Sequence, residues 1–140
     1  MPVAHWPVHP DSYFEIDIAL GGNPYRCRVD TGLTDTLGEI GFKLDPALFS
    51  SLERSGRLLP MPRRTRRDAN GFTFYLTCGL IRAQLLDPST GQPVGPLVKL
   101  LAARAASGLD SRVGVVFFHR LTRCRVTWEL DARKWCVEYP

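Results

Sequence analysis

The sequence predicts an all-β domain: a small closed or nearly closed barrel carrying one or two short helices. Three observations lead there. Eight or nine short segments read as strands, and in 12–20, 25–30 and 125–130 apolar and polar residues alternate with period two, the pattern of a strand with one buried face. The 12 glycines and 11 prolines favour many short elements joined by turns. One stretch alone carries helical spacing together with a start and a stop signal. At 140 residues and 44% hydrophobic, the chain is long enough to bury a substantial core as one domain.

Residues 1–11 hold Pro2, Pro7 and Pro10 and are expected to be an irregular N-terminal arm, ahead of a single domain over 12–140. Pro7 lies between His5 and His9, so no helix brings these histidines together as metal ligands. In 12–20 Phe14, Ile16 and Ile18 alternate with Tyr13, Glu15 and Asp17, and in 25–30 Tyr25, Cys27 and Val29 alternate with Arg26, Arg28 and Asp30. Gly21-Gly22-Asn23-Pro24 between them makes the pair a β-hairpin. A further short strand is expected over 33–41. Then comes the helix: Asp45 as N-cap, Pro46 at its first position, Gly56 at its C-terminal cap, with Leu48, Phe49 and Leu52 as the apolar stripe.

Residues 58–67 and 72–78 read as the arms of a hairpin whose tip is Asn70-Gly71. Gly79 is expected to break the run before a new strand over 80–87, and 88–93 is turn chemistry. Strands follow over 94–103 and 112–116, a short helical turn over 117–121, and closing strands over 125–130 and 135–139. No repeat of solenoid length is present.

Composition bounds the function. The longest apolar runs fall far short of the roughly 20 residues that span a bilayer. The N-terminus lacks the basic and then apolar pattern of a secretory signal, so a cytoplasmic protein without membrane contact is expected. Cys27, Cys78, Cys124 and Cys136 all sit in strand-like segments without metal-site spacing, and read as small buried apolar residues in a reducing compartment. The net charge of +4 is concentrated at Arg63, Arg64, Arg66 and Arg67. No glycine-rich clamp or aromatic array surrounds these arginines, which argues for a solvated face and against nucleic acid. His119, between phenylalanines and Arg120, reads as a partly buried core histidine. No Ser or Cys has an evident His partner for nucleophilic catalysis.

The residues with chemistry in them are Asp30-Thr31-Gly32. An acid at a strand end, on a turn that Gly32 permits and beside the Thr31 hydroxyl, is a positioned carboxylate. Its structural alternative is a turn cap that accepts backbone N–H groups.

Taken in order, these pieces resemble the retropepsin-like (single-lobe, clan AA) aspartic proteases. Val29-Asp30-Thr31-Gly32 ends the second strand of the opening hairpin. The Asn70-Gly71 hairpin stands where that family keeps its substrate-covering flap. Val113-Gly114-Val115-Val116-Phe117-Phe118 stands where it has a hydrophobic segment with glycine before a short helix, and the strand from Trp135 stands where its members pair subunits. The resemblance implies a barrel of the acid-protease type and an aspartic endopeptidase of peptides or proteins, without cofactor or metal. It implies Asp30, Thr31 and Gly32 as catalytic residues, with Asn70, Gly71 and Gly114 at the substrate.

That chemistry needs two carboxylates sharing one proton, because like charges about 3 Å apart cannot both ionise. No second acid is suitable within the chain: Asp35 is too close in sequence, and in Asp110-Ser111-Arg112 an arginine stands where the turn glycine should be. The resemblance therefore implies a homodimer, with Asp30 beside its symmetry mate. The competing reading is a non-catalytic binding module of the same fold, using the arginines from Arg63 to Arg67 as its partner surface.

Overall fold

The computed structural model describes residues 3–7, 14–121, 125–129 and 134–138. Its elements are β1 (Val3–Pro7), β2 (Glu15–Leu20), β3 (Asn23–Val29), β4 (Ile40–Leu44), α1 (Pro46–Arg54), β5 (Leu58–Arg67), β6 (Thr73–Leu86), β7 (Pro93–Arg104), β8 (Arg112–Val113), α2 (Val115–His119), β9 (Arg125–Glu129) and β10 (Lys134–Glu138). Seven strands form one sheet in the order β2-β3-β8-β4-β7-β6-β5, and β2 also pairs with β6 over Ile18–Leu20. The sheet is thereby curled into a ring, as the alternating segments predict. The ring is not a fully closed barrel, since β8 joins β3 and β4 by only two residue pairs each.

The core fills the ring. Ile16, Ile18 and Leu20 alternate inward from β2, and Phe42, Leu44, Leu58, Ile81, Leu85 and Leu100 meet them, all essentially without solvent exposure. α1 closes one side with Phe49 and Leu52. The Asp45 carboxylate accepts from the Leu48 N–H at 3.0 Å, the N-cap bond the sequence indicates. α2 adds Phe117, whose ring packs against Phe42 at a centroid distance of 5.6 Å.

Four elements differ from expectation. Val3–Pro7, expected to be irregular, is a strand: β1 pairs antiparallel with β10, Val3 opposite Glu138 and Pro7 opposite Lys134, and Pro7 is its last residue instead of an interruption. Residues 33–39 are loop and turn, and the strand begins only at Ile40. Gly79 does not break β6, which runs on for 14 residues; a side chain there would collide with Leu58 on β5, so the glycine serves close packing. Finally, α2 begins at Val115, directly after Gly114, so the expected strand over 112–116 is only two residues long.

Cys27, Cys78 and Cys136 are buried free thiols, and burial pushes the Cys27 thiol up to about 12. Cys124, residues 10–13 and the expected turn over 131–133 lie outside the described residues. Among the described residues no helix is long and apolar enough to cross a membrane.

Candidate active site

β3 delivers Asp30, and β8 runs parallel beside it, with Arg28 opposite Arg112 and Val29 opposite Val113. The Asp30 N–H donates to the Val113 carbonyl at 2.9 Å, which fixes the strand end. The chain then turns. Leu33 N–H donates to the Asp30 carbonyl at 3.1 Å, and Gly32 N–H donates to Asp30 Oδ1 at 2.9 Å. Thr31 and Gly32 are exposed on this turn, while Asp30 itself is half-buried.

Gly114 braces the turn from below. Its backbone is extended (φ −101°, ψ −179°), a conformation open to any residue, so space decides its identity. A Cβ there would stand 2.5 Å from the Leu33 carbonyl oxygen and 2.7 Å from Leu33 Cγ. The two segments interlock through Val115 N–H to the Leu33 carbonyl at 3.1 Å and Gly114 N–H to the Gly41 carbonyl at 2.9 Å. Gly114, expected at the substrate, is buried in the single chain and supports the turn from within.

The feature that sequence reasoning missed is Arg112. Its Nη1 donates to Asp30 Oδ2 at 2.9 Å, and its Nε donates to Asp110 Oδ1 at 3.3 Å. Asp110 is also 3.8 Å from Arg28 Nη1. Partial burial alone would push the Asp30 carboxyl up. The Arg112 hydrogen bond, the Gly32 N–H and the charges of Arg112 and Arg28 outweigh it and hold the carboxyl below its ordinary value. Both side chains are about 30% exposed, Arg112 at 30% and Asp30 at 29%, so the pair belongs with surface ion pairs worth about 0–1 kcal/mol. It biases the Asp30 charge without locking the arginine in place. The one local signal for it was an arginine where a glycine was sought.

A second Asp–Arg pair lies next to this turn. Asp35 Oδ2 accepts from the Glu39 and Ile40 N–H groups, both at 2.9 Å, and Arg66 grips both oxygens, Nε to Oδ1 at 2.8 Å and Nη2 to Oδ2 at 3.1 Å. Glu39 extends the contact to Arg66 Nη2 at 3.1 Å and Arg64 Nε at 3.4 Å. The basic run on β5 is thus largely spent within the chain. Arg64 and Arg66 tie the hairpin to the loop after Asp30, and the Arg63 guanidinium lies 5.3 Å over the Tyr75 ring. Of the four, Arg63 and Arg67 remain as outward charges, which weakens the binding-surface reading.

The hairpin tip forms as predicted. Asp68 N–H donates to the Phe72 carbonyl, Asp68 Oδ1 accepts from the Asn70 and Phe72 N–H groups, and Gly71 takes a φ of 83°. Asn70 and Gly71 are exposed there, apart from the cluster of Asp30, Thr31, Gly32 and Gly114. His119, expected to be partly buried, is exposed at the end of α2. Among the described residues no group of three His, Cys, Asp or Glu side chains is placed to hold a metal ion.

The cavity at Asp30 is small, about 150 Å³, lined by Leu33, Lys43, Leu109, Asp110 and Arg112 among others. Small-molecule pockets run to roughly 300–1,000 Å³, so one chain alone does not enclose an extended peptide here. A larger cavity of about 470 Å³, lined by Gly22, Arg57, Leu59, Arg82 and Lys99 among others, shares no residue with it.

No protein-family model matches the sequence, and no curated protein matches it. Solved structures do. The chain is similar to a retropepsin-like aspartic protease from Rickettsia conorii at 13% identity and a TM-score of 0.63, covering 99% of this chain and 91% of that one. It also matches EIAV protease complexed with the inhibitor HBY-793, at 11% identity and a TM-score of 0.44, covering 81% and 91% of the two chains. The likeness to the Rickettsia protein establishes the retropepsin-like fold.

Proposed function

We propose that the protein is an aspartic endopeptidase acting as a homodimer, which hydrolyses peptide bonds by a water activated between two Asp30 carboxylates. The observation that carries this reading is the Asp30 turn: a half-exposed carboxylate, oriented by the Gly32 N–H and interlocked with Gly114, on a retropepsin-like fold. The small cavity of the single chain supports the dimer, because a second copy supplies both the missing wall and the second carboxylate.

In the paired site one Asp30 is ionised and the other holds the shared proton. The ionised carboxylate takes a proton from water as the water oxygen bonds to the peptide carbonyl carbon, and the other Asp30 gives its proton to the carbonyl oxygen. The tetrahedral species then collapses and the C–N bond breaks: the departing amine takes the proton that the first Asp30 had drawn from water, and a hydroxyl of the tetrahedral carbon returns a proton to the second Asp30 as the acid product forms. Thr31, exposed beside the dyad, braces the two turns across the twofold axis, and Asn70 and Gly71 cover the peptide. Three buried free thiols suit a reducing compartment, and we place the protein in the cytoplasm.

Asp30→Asn is expected to abolish cleavage of a peptide library while leaving the circular dichroism and the sedimentation coefficient of the dimer unchanged. Retained proteolysis, or a wild-type protein that stays monomeric at micromolar concentration, rejects the reading.

One observation favours the non-catalytic alternative: both Asp30 oxygens are engaged within the chain, by Gly32 and Arg112. There the acid would be a structural tie between β3 and β8, and Asp30→Asn would lower stability with no activity to lose.

A further inference from the structure

An ionised Asp30 held by an arginine is the wrong starting state for a dyad that shares a proton. Each Arg112 favours the charged form of its own Asp30 and so works against the shared proton. Drawing Arg112 off one of them would favour the dyad, and the sheet register indicates by what. Arg112 on β8 lies between Arg28 on β3 and Lys43 on β4, so three basic residues stand in a row across adjacent strands. Like charges directly opposite one another are unfavourable. Glu15 on β2 stands opposite Arg28, and Asp110 lies 3.8 Å from Arg28 Nη1, so that end of the row faces acids.

The other end opens on the cavity beside Asp30. Lys43 and Arg112 both line it, and Lys43 makes no side-chain hydrogen bond or ion pair among the described residues. Asp110 holds Arg112 by Nε, which leaves the Nη1 edge as the part that faces Asp30.

We propose that the peptides taken by this site carry an acidic side chain next to the bond to be cut, and that its carboxylate takes the Arg112 guanidinium from Asp30. The incoming carboxylate sits between Arg112 and Lys43, the pairing of Arg112 passes from Asp30 to the substrate, and the Asp30 pair is left able to hold its single proton. Arg112 is a positioning and specificity residue in this scheme. A twofold dimer places one Arg112 on each side of the dyad, so the acidic residue serves on either side of the scissile bond. The inference rests on the peptidase reading.

The test uses two hydroxyethylene peptides that differ only in Glu or Gln beside the isostere, with binding to the full-length protein measured by calorimetry. The Glu peptide is expected to bind at least tenfold more tightly, and Arg112→Leu and Arg112→Lys to reduce or abolish the difference. Equal binding to the wild type, or no binding of the Glu peptide at millimolar concentration, overturns the inference without any variant having to fold. The corresponding amide peptides are assayed for cleavage in parallel. Selective binding of Glu without cleavage between pH 3 and 7 keeps the acidic-side-chain site and overturns the peptidase reading. Cleavage without preference for Glu does the reverse.

Discussion

Two aspartate–arginine pairs stand five residues apart in the loop after β3, and they are built for opposite purposes. The Asp35 side chain is only 3% exposed and that of Arg66 14%; the carboxylate accepts a two-pronged guanidinium and backbone N–H groups besides. Asp30 and Arg112 share one hydrogen bond, with nearly a third of each side chain in water. Burial makes the difference. A buried pair cannot lose one partner without stranding a charge, whereas a half-exposed pair can trade its partner for another anion. The first fixes the loop, and the second leaves a carboxylate free to exchange its partner.

The largest effect should come from breaking the buried pair. Arg66→Ala leaves Asp35 charged and unmatched and is expected to destabilise the fold by about 3–5 kcal/mol in urea unfolding. A loss below about 1 kcal/mol would put the two pairs in the same class.

Acid should sharpen the contrast. Burial pushes the Asp35 carboxyl up, but the Arg66 hydrogen bonds, the Ile40 and Glu39 N–H groups and the Arg66 charge bring it down to about 2. An unfolded aspartate titrates near 3.9, about two units higher. The folded value is the lower one, so the stability contributed by Asp35 is complete above the unfolded value. It is lost as the pH falls from about 4 through 2. Urea midpoints of the wild type should decline across that window, and those of Asp35→Asn, lower at neutral pH, should decline less steeply. Parallel curves would remove Asp35 from the account.

The smallest effect belongs to the exposed pair. Asp30→Asn and Arg112→Leu should each change stability by no more than about 1 kcal/mol, even where function is lost. A larger loss in Asp30→Asn would make the carboxylate a structural tie and favour the non-catalytic reading.

Much of this architecture could be read from local patterns. The opening hairpin, the N-cap of α1, the turn around Asn70-Gly71 and the acid at the end of β3 all depend on residues within a few positions of one another. What stayed hidden depends on distant partners. β1 is a strand because β10, at the other end of the chain, pairs with it, and β6 runs through Gly79 because Leu58 needs the space. The site divides in the same way. Asp30, Thr31 and Gly32 are legible as a turn, but the arginines that distinguish Asp30 from Asp35 come from 82 and 31 residues away. An arginine run reads as a solvated face until the acids it meets are in view.

The strand from Trp135, where subunit pairing was expected, is the middle strand of the small sheet, with β1 on one edge and β9 on the other. Any addition of a strand from a second copy to this sheet falls to β1 or β9.

The clasp between Arg66 and Asp35 also sets the mechanics of the β5–β6 hairpin. Arg66 lies opposite Phe74, so only the last rung, Arg67 with Thr73, and the turn over 68–72 extend past the point of attachment. At about 3.3 Å per residue, this leaves a lever arm of roughly 10 Å. A tip so short can tilt but cannot sweep aside unless the clasp opens.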